Sequence, residues 1–177
     1  MNKQENSELK EILIVPSSPY LENRLFDAGD AYLNRDNCLE PGIELKKALK
    51  NEGYDLKTVD LGNMDKAEWI IFFDTPRTNE YLKQSLVKKY NHKMILMLWE
   101  PPVVSEVARD LSYHRRFKYV FTWNDELVDN QRYLKLYWPQ PRSTFSSNRI
   151  PFDQRKLLTL ISGNKNSFRP NQLYAER

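Results

Sequence analysis

The sequence has few of the residues that hold small folds together through covalent or metal crosslinks. Its 177 residues include one cysteine, Cys38, and only two histidines. A single cysteine cannot form a disulfide within the chain or supply a thiolate metal cluster, which excludes a disulfide scaffold and a zinc module as the basis of the fold. This cysteine usage is typical of a reducing compartment. His92 and His114 stand among basic residues, a setting typical of surface side chains.

Neither sign of charge dominates, and no hydrophobic run is long. There are 27 Lys and Arg residues against 24 Asp and Glu residues, a net charge of +3. This balance excludes a nucleic-acid-binding tail or a polybasic membrane arm as the dominant character, so we expect no nucleic-acid partner. The N-terminus lacks the apolar stretch of a secretory signal, and Met94–Trp99, the longest apolar run, is far shorter than the roughly 20 residues that span a bilayer. We expect a cytoplasmic protein without a transmembrane segment.

Motifs of common cofactor and metal sites are also missing. The sequence contains no G-x-G-x-x-G, no G-x-x-x-x-G-K-[ST], no G-x-S-x-G, no H-E-x-x-H and no D-x-D. Each of these spacings brings together the groups that hold a dinucleotide, a triphosphate, a nucleophilic serine or a divalent ion. We therefore expect a site without a metal and a protein without a cofactor.

Strand and helix patterns alternate along the chain. The predicted strands are Glu11–Val15, Leu56–Leu61, Trp69–Phe73, Met94–Trp99, Tyr119–Trp123 and Tyr133–Trp138. The predicted helices are Glu40–Asn51, Thr78–Tyr90 with Thr78 as its cap, and a segment around Glu106–Arg116. Such alternation predicts an α/β fold with a doubly wound, Rossmann-like parallel sheet. Because Trp69–Phe73 and Met94–Trp99 are continuously apolar, we expect them to be the central strands, covered on both faces.

A change in composition marks the end of this domain. Residues 142–155 are rich in Ser, Arg and turn formers, which predicts a linker after a domain spanning 1–141. A further apolar run, Lys156–Ser162, predicts the first strand of a second domain. A helix beginning near Pro170 has no stop signal before Arg177, so we expect 156–177 to be the start of a second domain and the chain to be the N-terminal portion of a longer protein.

Polar residues directly follow three of the predicted strands. Glu100 follows MILMLW and precedes Pro101 and Pro102, Asp74 follows WIIFF, and Asn124 and Asp125 follow YVFTW. Ligands of open parallel sheets bind beyond the carboxyl ends of the strands, so these side chains are candidates for one site. The alternative is that Glu100 caps a helix or pairs with an arginine. Trp99, Trp123 and Trp138 either contact a bound ligand or pack in the core.

A second candidate site lies in ISGNKNSFRPN, residues 161–171. A strand there leads through Asn164, Lys165 and Arg169 to a predicted helix N-terminus, where backbone N–H groups and the helix dipole favour an anion. The pattern indicates a phosphate site, although any strand-to-helix turn in a basic protein has similar residues.

The segments FKYVFTWNDELVD, LWEPP and KLLTLISGNKNSFRPNQLYAER together resemble family 10 glycosyltransferases, the α-1,3/1,4-fucosyltransferases and their bacterial and viral relatives. NRDNCLEPGIELKKALKNEGYDLKTVD and AEWIIFFDTPR are similar to the N-terminal region of the same group. The resemblance covers nearly the whole chain, and its most specific pieces are FTWND and S-G-N-K…P-N-x-L-Y-x-E-R.

This resemblance implies an enzyme of GT-B architecture, with two Rossmann-like domains facing across a cleft. The N-terminal domain of the family holds the acceptor glycan, the C-terminal domain holds GDP-fucose, and the sugar is transferred with inversion and without an obligate metal. It implies that Glu100 is the general base. It also implies that Arg169 contacts the donor diphosphate, with Lys165 or Arg177 as alternative counterparts. The implied site residues are Glu100 as catalytic, Arg169, Lys165 and Asn164 as donor-binding, and Trp99, Asn124 and Asp125 on the acceptor side.

One departure from the family limits what this chain does alone. The donor-binding motif with its Glu-Lys pair has no counterpart in the 177 residues. We therefore expect the isolated chain to be inactive. Two alternatives remain open, a non-catalytic flavodoxin-like or receiver-like binding module and a glycosyltransferase-derived pseudoenzyme. A receiver needs acidic residues after its first strand, and EILIVPSSPY has none there.

Overall fold

A computed structural model of the chain describes residues 9–102, 104–137, 139 and 150–156. The chain divides into two compact units, Met1–Pro141 and Arg142–Arg177. In the second unit the described residues form a 3-10 turn, Phe152–Gln154, and the Arg155 Nε donates a 2.8 Å hydrogen bond to the Ile150 carbonyl. The predicted strand Lys156–Ser162 and the segment that follows it lie outside the described residues, apart from Lys156. None of the described helices is long and apolar enough to cross a membrane.

Six parallel strands form the sheet of the first unit. They are β1 (Lys10–Val15), β2 (Tyr54–Thr58), β3 (Trp69–Phe73), β4 (Met94–Leu98), β5 (Tyr119–Thr122) and β6 (Tyr133–Lys135), in the order β2-β1-β3-β4-β5-β6. Every neighbouring pair is parallel. The α/β parallel sheet and the central position of β3 and β4 confirm the prediction from sequence, since only strands covered on both faces are continuously apolar.

Helices cover both faces of the sheet because the chain changes direction once. From β1 the chain goes to β2 at one edge of the sheet. It then crosses back to β3 on the other side of β1 and adds β4, β5 and β6 in order toward the opposite edge. Right-handed crossovers therefore place α1 (Glu40–Asn51) on one face and α2 (Gln84–Tyr90) and α3 (Leu111–His114) on the other. The two apolar clusters follow this division: one contains Ile12, Ile14, Leu56 and Ile71 with Leu45 and Leu49 of α1, and the other contains Leu13, Val15, Phe72 and Leu96 with Tyr90 and Tyr113.

Of the six strands of the sheet, only β3 has the predicted ends; β1 begins one residue earlier, at Lys10, and β5 stops one residue earlier, at Thr122. β2 begins at Tyr54 and stops at Thr58, because the Thr58 N–H donates to the Asn23 side chain (2.9 Å) and Val59–Leu61 turns into a 3-10 helix. β4 stops before Trp99, whose N–H donates to Asp74 instead of to a strand. β6 ends at Lys135 rather than at position 138, since its partner β5 ends at Thr122 and leaves no backbone to pair with.

The two predicted helices after β3 and β4 are interrupted. Thr78–Tyr90 divides into a 3-10 helix, Glu80–Leu82, and α2, because Lys83 has extended backbone angles. The N-cap is Asn79, not Thr78: its side chain accepts from the Tyr81 N–H at 2.9 Å. Glu106–Arg116 divides in the same way, with a 3-10 helix over Glu106–Arg109 followed by α3.

His114 is buried, so the prediction of a surface position is wrong for this residue, whereas His92 is exposed. The short helix α3 turns His114 against the sheet, where its Nε2 lies 2.8 Å from the Val107 carbonyl and its Nδ1 lies 3.3 Å from the Tyr133 hydroxyl. Burial lowers the pKa of His114. Its neighbours supply hydrogen bonds to a neutral ring, which explains why a polar residue is tolerated in this part of the core.

The N-cap of helix α3 is Asp110, and its contribution to the stability of the fold can be measured. The Asp110 carboxylate accepts from the Tyr113 N–H at 3.0 Å and pairs with Arg77. We expect Asp110→Ala to lower the free energy of unfolding by about 1 kcal/mol, because a lost N-cap leaves helix N–H groups without a partner. Arg77→Ala leaves the cap in place and removes the exposed ion pair, a 3.3 Å hydrogen bond to the Ser112 hydroxyl and the contact with the Tyr113 ring. It is expected to cost less than the lost cap, within about 0–1 kcal/mol. Urea denaturation of both variants measures the difference, and equal losses would show that the ion pair rather than the cap stabilises this segment.

Candidate functional site

A cavity of about 640 Å³ lies at the carboxyl edge of the sheet, beside the point where the strand order reverses between β1 and β3. Open parallel sheets bind ligands at this position. The cavity is lined by residues that follow β1, β3, β4 and β6 and by the segment that leads into α1: Ile14, Pro16, Ser17, Tyr20, Leu25, Phe26, Cys38, Leu39, Pro41, Gly42, Leu45, Phe73, Asp74, Met97, Trp99, Glu100, Leu136, Tyr137 and Pro139.

Asp74 joins the ends of β3 and β4 at the cavity wall. One of its carboxylate oxygens, Oδ2, accepts from the backbone N–H of Trp99 (2.8 Å) and of Glu100 (2.9 Å). Its own N–H donates to the Met97 carbonyl at 3.0 Å. The backbone of Asp74 has a φ of 41°, in the left-handed region that few residues other than glycine, asparagine and aspartate enter. This conformation turns the side chain toward β4. Asp74 therefore holds the backbone of Trp99 and Glu100 in place through two hydrogen bonds.

The negative charge of the Asp74 carboxylate is unfavourable at this position, because the group is partly buried. Burial raises its pKa to about 6; the N–H groups of Glu100 and Trp99 oppose the rise, and the negative charge of Glu100 adds to it. The second oxygen, Oδ1, is buried without a hydrogen-bond partner among the described residues. A buried acceptor with no partner is uncommon in folded proteins and is found more often at functional sites than elsewhere.

Hydrogen bonds from α3 and to β1 hold the loop that follows β3. The Tyr113 hydroxyl donates a 2.5 Å hydrogen bond to the Thr75 carbonyl, and the Thr75 hydroxyl lies 3.3 Å from the Val15 carbonyl. Both side chains are buried, and burial raises the pKa of Tyr113. Tyr113 in turn packs edge-on against Phe117, with ring centroids 5.2 Å apart. The site therefore rests on the rigid interior of the sheet and not on an exposed loop.

Glu100 is half-buried, lies two residues after the end of β4 and lines the cavity, followed by Pro101. Within the described ranges its carboxylate has no hydrogen bond and no ion pair, so neither a helix cap nor an arginine partner explains its position there. The neighbouring Trp99 ring lies 5.3 Å from the Phe73 ring, tilted by 46°. This arrangement presents a carboxylate beside aromatic surface, where it can accept a proton from a bound hydroxyl group.

Asn124 and Asp125 occupy the same edge of the sheet but do not line the cavity. The Asn124 side chain accepts from the Glu126 N–H at 3.1 Å, and Asp125 pairs with Lys135 at 2.6 Å while its side chain is 85% exposed. These contacts close the turn after β5. Trp123 in this turn is half-buried. The structure thus brings Trp99, Glu100 and Asp74 together and leaves Asn124 and Asp125 outside the cavity.

The predicted donor-binding residues Asn164, Lys165 and Arg169, and the alternative Arg177, lie outside the described residues, as does Trp138. Their predicted roles stay predictions. Among the residues that are described, no three His, Cys, Asp or Glu side chains come together in a way that could hold a metal ion.

Several residues that line the cavity were not predicted from the sequence, among them Tyr20, Gly42 and Tyr137. Tyr20 ends a 3-10 turn, Ser18–Tyr20, in the Pro-Ser-Ser-Pro segment, and Tyr137 follows β6. Gly42 carries a signal that could have been found: it stands in the first turn of an amphipathic helix, and a Cβ at this position would lie 3.2 Å from the Leu25 carbonyl oxygen. Glycine is a poor helix former, so its presence there indicates a close approach of two backbones.

Comparisons of the chain with protein-family models, with curated proteins and with solved structures find no match.

Proposed function

We propose that this protein is the acceptor-side part of an inverting fucosyltransferase that moves fucose from GDP-fucose to a hydroxyl group of an acceptor glycan. The observation that carries the proposal is the Glu100 carboxylate, which lines a cavity at the carboxyl edge of the sheet on a backbone held by Asp74. The resemblance of LWEPP, FTWND and the 156–177 segment to family 10 glycosyltransferases supports the same function.

In the proposed reaction Glu100 is the general base. The acceptor hydroxyl donates its hydrogen bond to the Glu100 carboxylate, and its oxygen attacks the anomeric carbon of fucose from the face opposite GDP. The bond between that carbon and the diphosphate oxygen breaks, GDP leaves with the electron pair, and the hydroxyl proton moves to Glu100. General-base catalysis of this kind contributes about 10²–10⁴-fold. Attack from the opposite face inverts the anomeric centre.

The neighbours of Glu100 support this role. Asp74 accepts the N–H groups of Trp99 and Glu100, which limits the movement of the carboxylate relative to the sheet. The rings of Phe73 and Trp99 offer apolar surface on which the face of a sugar ring can pack. The leaving diphosphate develops negative charge, and we propose that Asn164, Lys165 and Arg169 stabilise it in the donor half.

A second candidate function, a flavodoxin-like binding module, is favoured by the strand order. The order β2-β1-β3-β4-β5 is that of flavodoxin-like sheets, which bind a phosphorylated cofactor at the switch between β1 and β3. The cavity lies at this switch, but among its described lining residues there is no Lys, Arg or His, and both charged side chains, Asp74 and Glu100, are acidic. This charge is unsuited to a phosphate, so we rank the binding module below the transferase.

Fucose transfer is the direct test of the proposal. The chain is joined to the donor-binding half that the proposal requires, and transfer of radiolabelled fucose from GDP-fucose to a panel of neutral glycans is measured. We expect transfer to at least one acceptor, with an inverted linkage identified by NMR. Acceptor binding without transfer from any donor would favour the binding module or a pseudoenzyme instead.

The 177-residue chain alone gives a separate prediction. A GT-B donor site needs several strand ends and helix N-termini of a second domain. Cations in water add little to binding, because an exposed ion pair contributes only about 0–1 kcal/mol. Millimolar affinity needs about 4 kcal/mol. We therefore expect calorimetry to detect no specific binding of GDP or GDP-fucose up to about millimolar concentration. Micromolar binding of GDP by this chain would place the donor site within it and contradict the assignment of domains.

A further inference from the structure

The two ends of the cavity differ in chemistry. The end beside β3 and β4 carries the carboxylates of Asp74 and Glu100. The side formed by α1 and the segment before it is mainly apolar: it includes Leu25, Phe26, Leu39 and Leu45, beside Cys38, Pro41 and Gly42. A ligand that places a hydroxyl group at Glu100 and extends toward α1 therefore passes from an acidic to an apolar surface.

The apolar side provides little for a hydrophilic ligand to bond with. Sugar hydroxyl groups buried against leucine and phenylalanine side chains would lose their hydrogen bonds to water without replacement, which is unfavourable. An alkyl or aryl group placed there would instead be removed from water, and the binding free energy would rise with the apolar area buried. The cavity volume of about 640 Å³ leaves room for such a group beside one sugar ring.

The negative charge of the carboxylates in the cavity is unfavourable to the binding of an anionic ligand. Among the described lining residues the charged side chains are Asp74 and Glu100, and no cation faces them. Lys46 of α1 does not line the cavity. Its ammonium group contacts the Leu56 carbonyl, lies 3.7 Å from Asp55 and lies 4.8 Å from the centre of the Phe26 ring. A carboxylate, sulfate or phosphate on the ligand would meet like charge in a partly desolvated site, which is more costly than in water.

We propose that the cavity selects acceptors that carry no negative charge and that bear an apolar group next to the sugar that receives fucose. Describing this ligand as an acceptor rests on the proposed function. The preference itself follows from the apolar side of the cavity and its unbalanced acidic charge.

Binding of matched glycosides to the 177-residue chain tests this selection. Methyl and hexyl β-glycosides of galactose and of N-acetylglucosamine are compared by calorimetry at pH 8, together with hexyl β-galacturonide, which carries a carboxylate. We expect the hexyl glycoside of at least one sugar to bind at least tenfold more tightly than its methyl counterpart. We expect hexyl galacturonide to bind at least tenfold more weakly than hexyl galactoside, and Glu100→Gln to reduce this difference.

Cys38 reports where the ligand binds. It lines the cavity, is exposed and is the only cysteine of the chain, and its thiol donates to the Leu33 carbonyl at 3.0 Å. We expect the hexyl glycoside to slow alkylation of Cys38 by N-benzylmaleimide at least fivefold, and the benzylated chain to lose hexyl glycoside binding. Cys38→Ser, which has no thiol, is the control: treating it with N-benzylmaleimide is expected to leave its hexyl glycoside binding as it was before the treatment.

The results separate the two proposals. Equal binding of methyl and hexyl glycosides, full binding of the galacturonide, or hexyl binding that leaves Cys38 alkylation unchanged would overturn the inference, whether or not fucose is transferred. A hexyl preference with protection of Cys38, in a protein whose joined form transfers no fucose, would support the inference and reject the proposed function.

Discussion

Replacement of Glu100 by glutamine is expected to lower kcat for fucose transfer by about 100-fold or more, because the amide cannot take the proton of the attacking hydroxyl group. Glutamine keeps the length and the hydrogen-bonding reach of the side chain. The hydrogen bond that the Glu100 N–H donates to the Asp74 carboxylate does not use the side chain of residue 100 and is retained. The measurement is kcat in the chain joined to its donor-binding half, together with the Kd for GDP-fucose, which is expected to change little.

Asp125→Asn is the matched control. It also replaces a carboxylate by its amide at the carboxyl edge of the sheet, but Asp125 is exposed, pairs with Lys135 and does not line the cavity. We expect this variant to keep wild-type kcat. If Glu100→Gln kept full turnover while Asp125→Asn lost it, Asp125 would be the base and Glu100 a structural residue.

Replacement of Asp74 by asparagine is expected to stabilise the fold at pH 8 by about 1–2 kcal/mol and to have little effect at pH 4. Burial raises the pKa of Asp74 from 3.8 to about 6, so the folded protein holds this proton more tightly than the unfolded chain. The destabilising contribution is therefore absent below about pH 4, grows as the pH rises to about 6 and is complete above it. The full shift corresponds to about 3 kcal/mol, which solvent screening of this half-buried group reduces.

Asparagine suits this position in other respects. It tolerates the φ of 41°, and its side-chain oxygen can still accept from the N–H groups of Trp99 and Glu100. Urea denaturation of wild type and variant at a series of pH values gives the difference directly, with Asp125→Asn, an exposed replacement of the same kind, as the control for the loss of one carboxylate. A variant less stable than wild type at pH 8 would show that the charged hydrogen bonds to the two N–H groups outweigh the cost of burial.

The sequence by itself determined the layers of the fold and the edge that carries the site. Continuously apolar runs occur where a strand is covered on both faces, so Trp69–Phe73 and Met94–Leu98 identified the centre of a parallel sheet. Parallel strands end at one edge, so the polar residues directly after them, Asp74 and Glu100, were predictable candidates for one site. Both signals are local, because they depend only on neighbours in the sequence.

The tertiary structure decided where elements stop and which polar residues meet. Trp99 leaves β4 because its N–H reaches Asp74, a residue 25 positions earlier, and β2 ends because Thr58 reaches Asn23, 35 positions earlier. His114 is a core residue because Val107 and Tyr133 converge on it. Asn124 and Asp125 obey the same local rule as Glu100, yet they close a turn around Lys135. Such outcomes depend on contacts between distant parts of the chain, and the local pattern of apolar and polar residues holds no information about them.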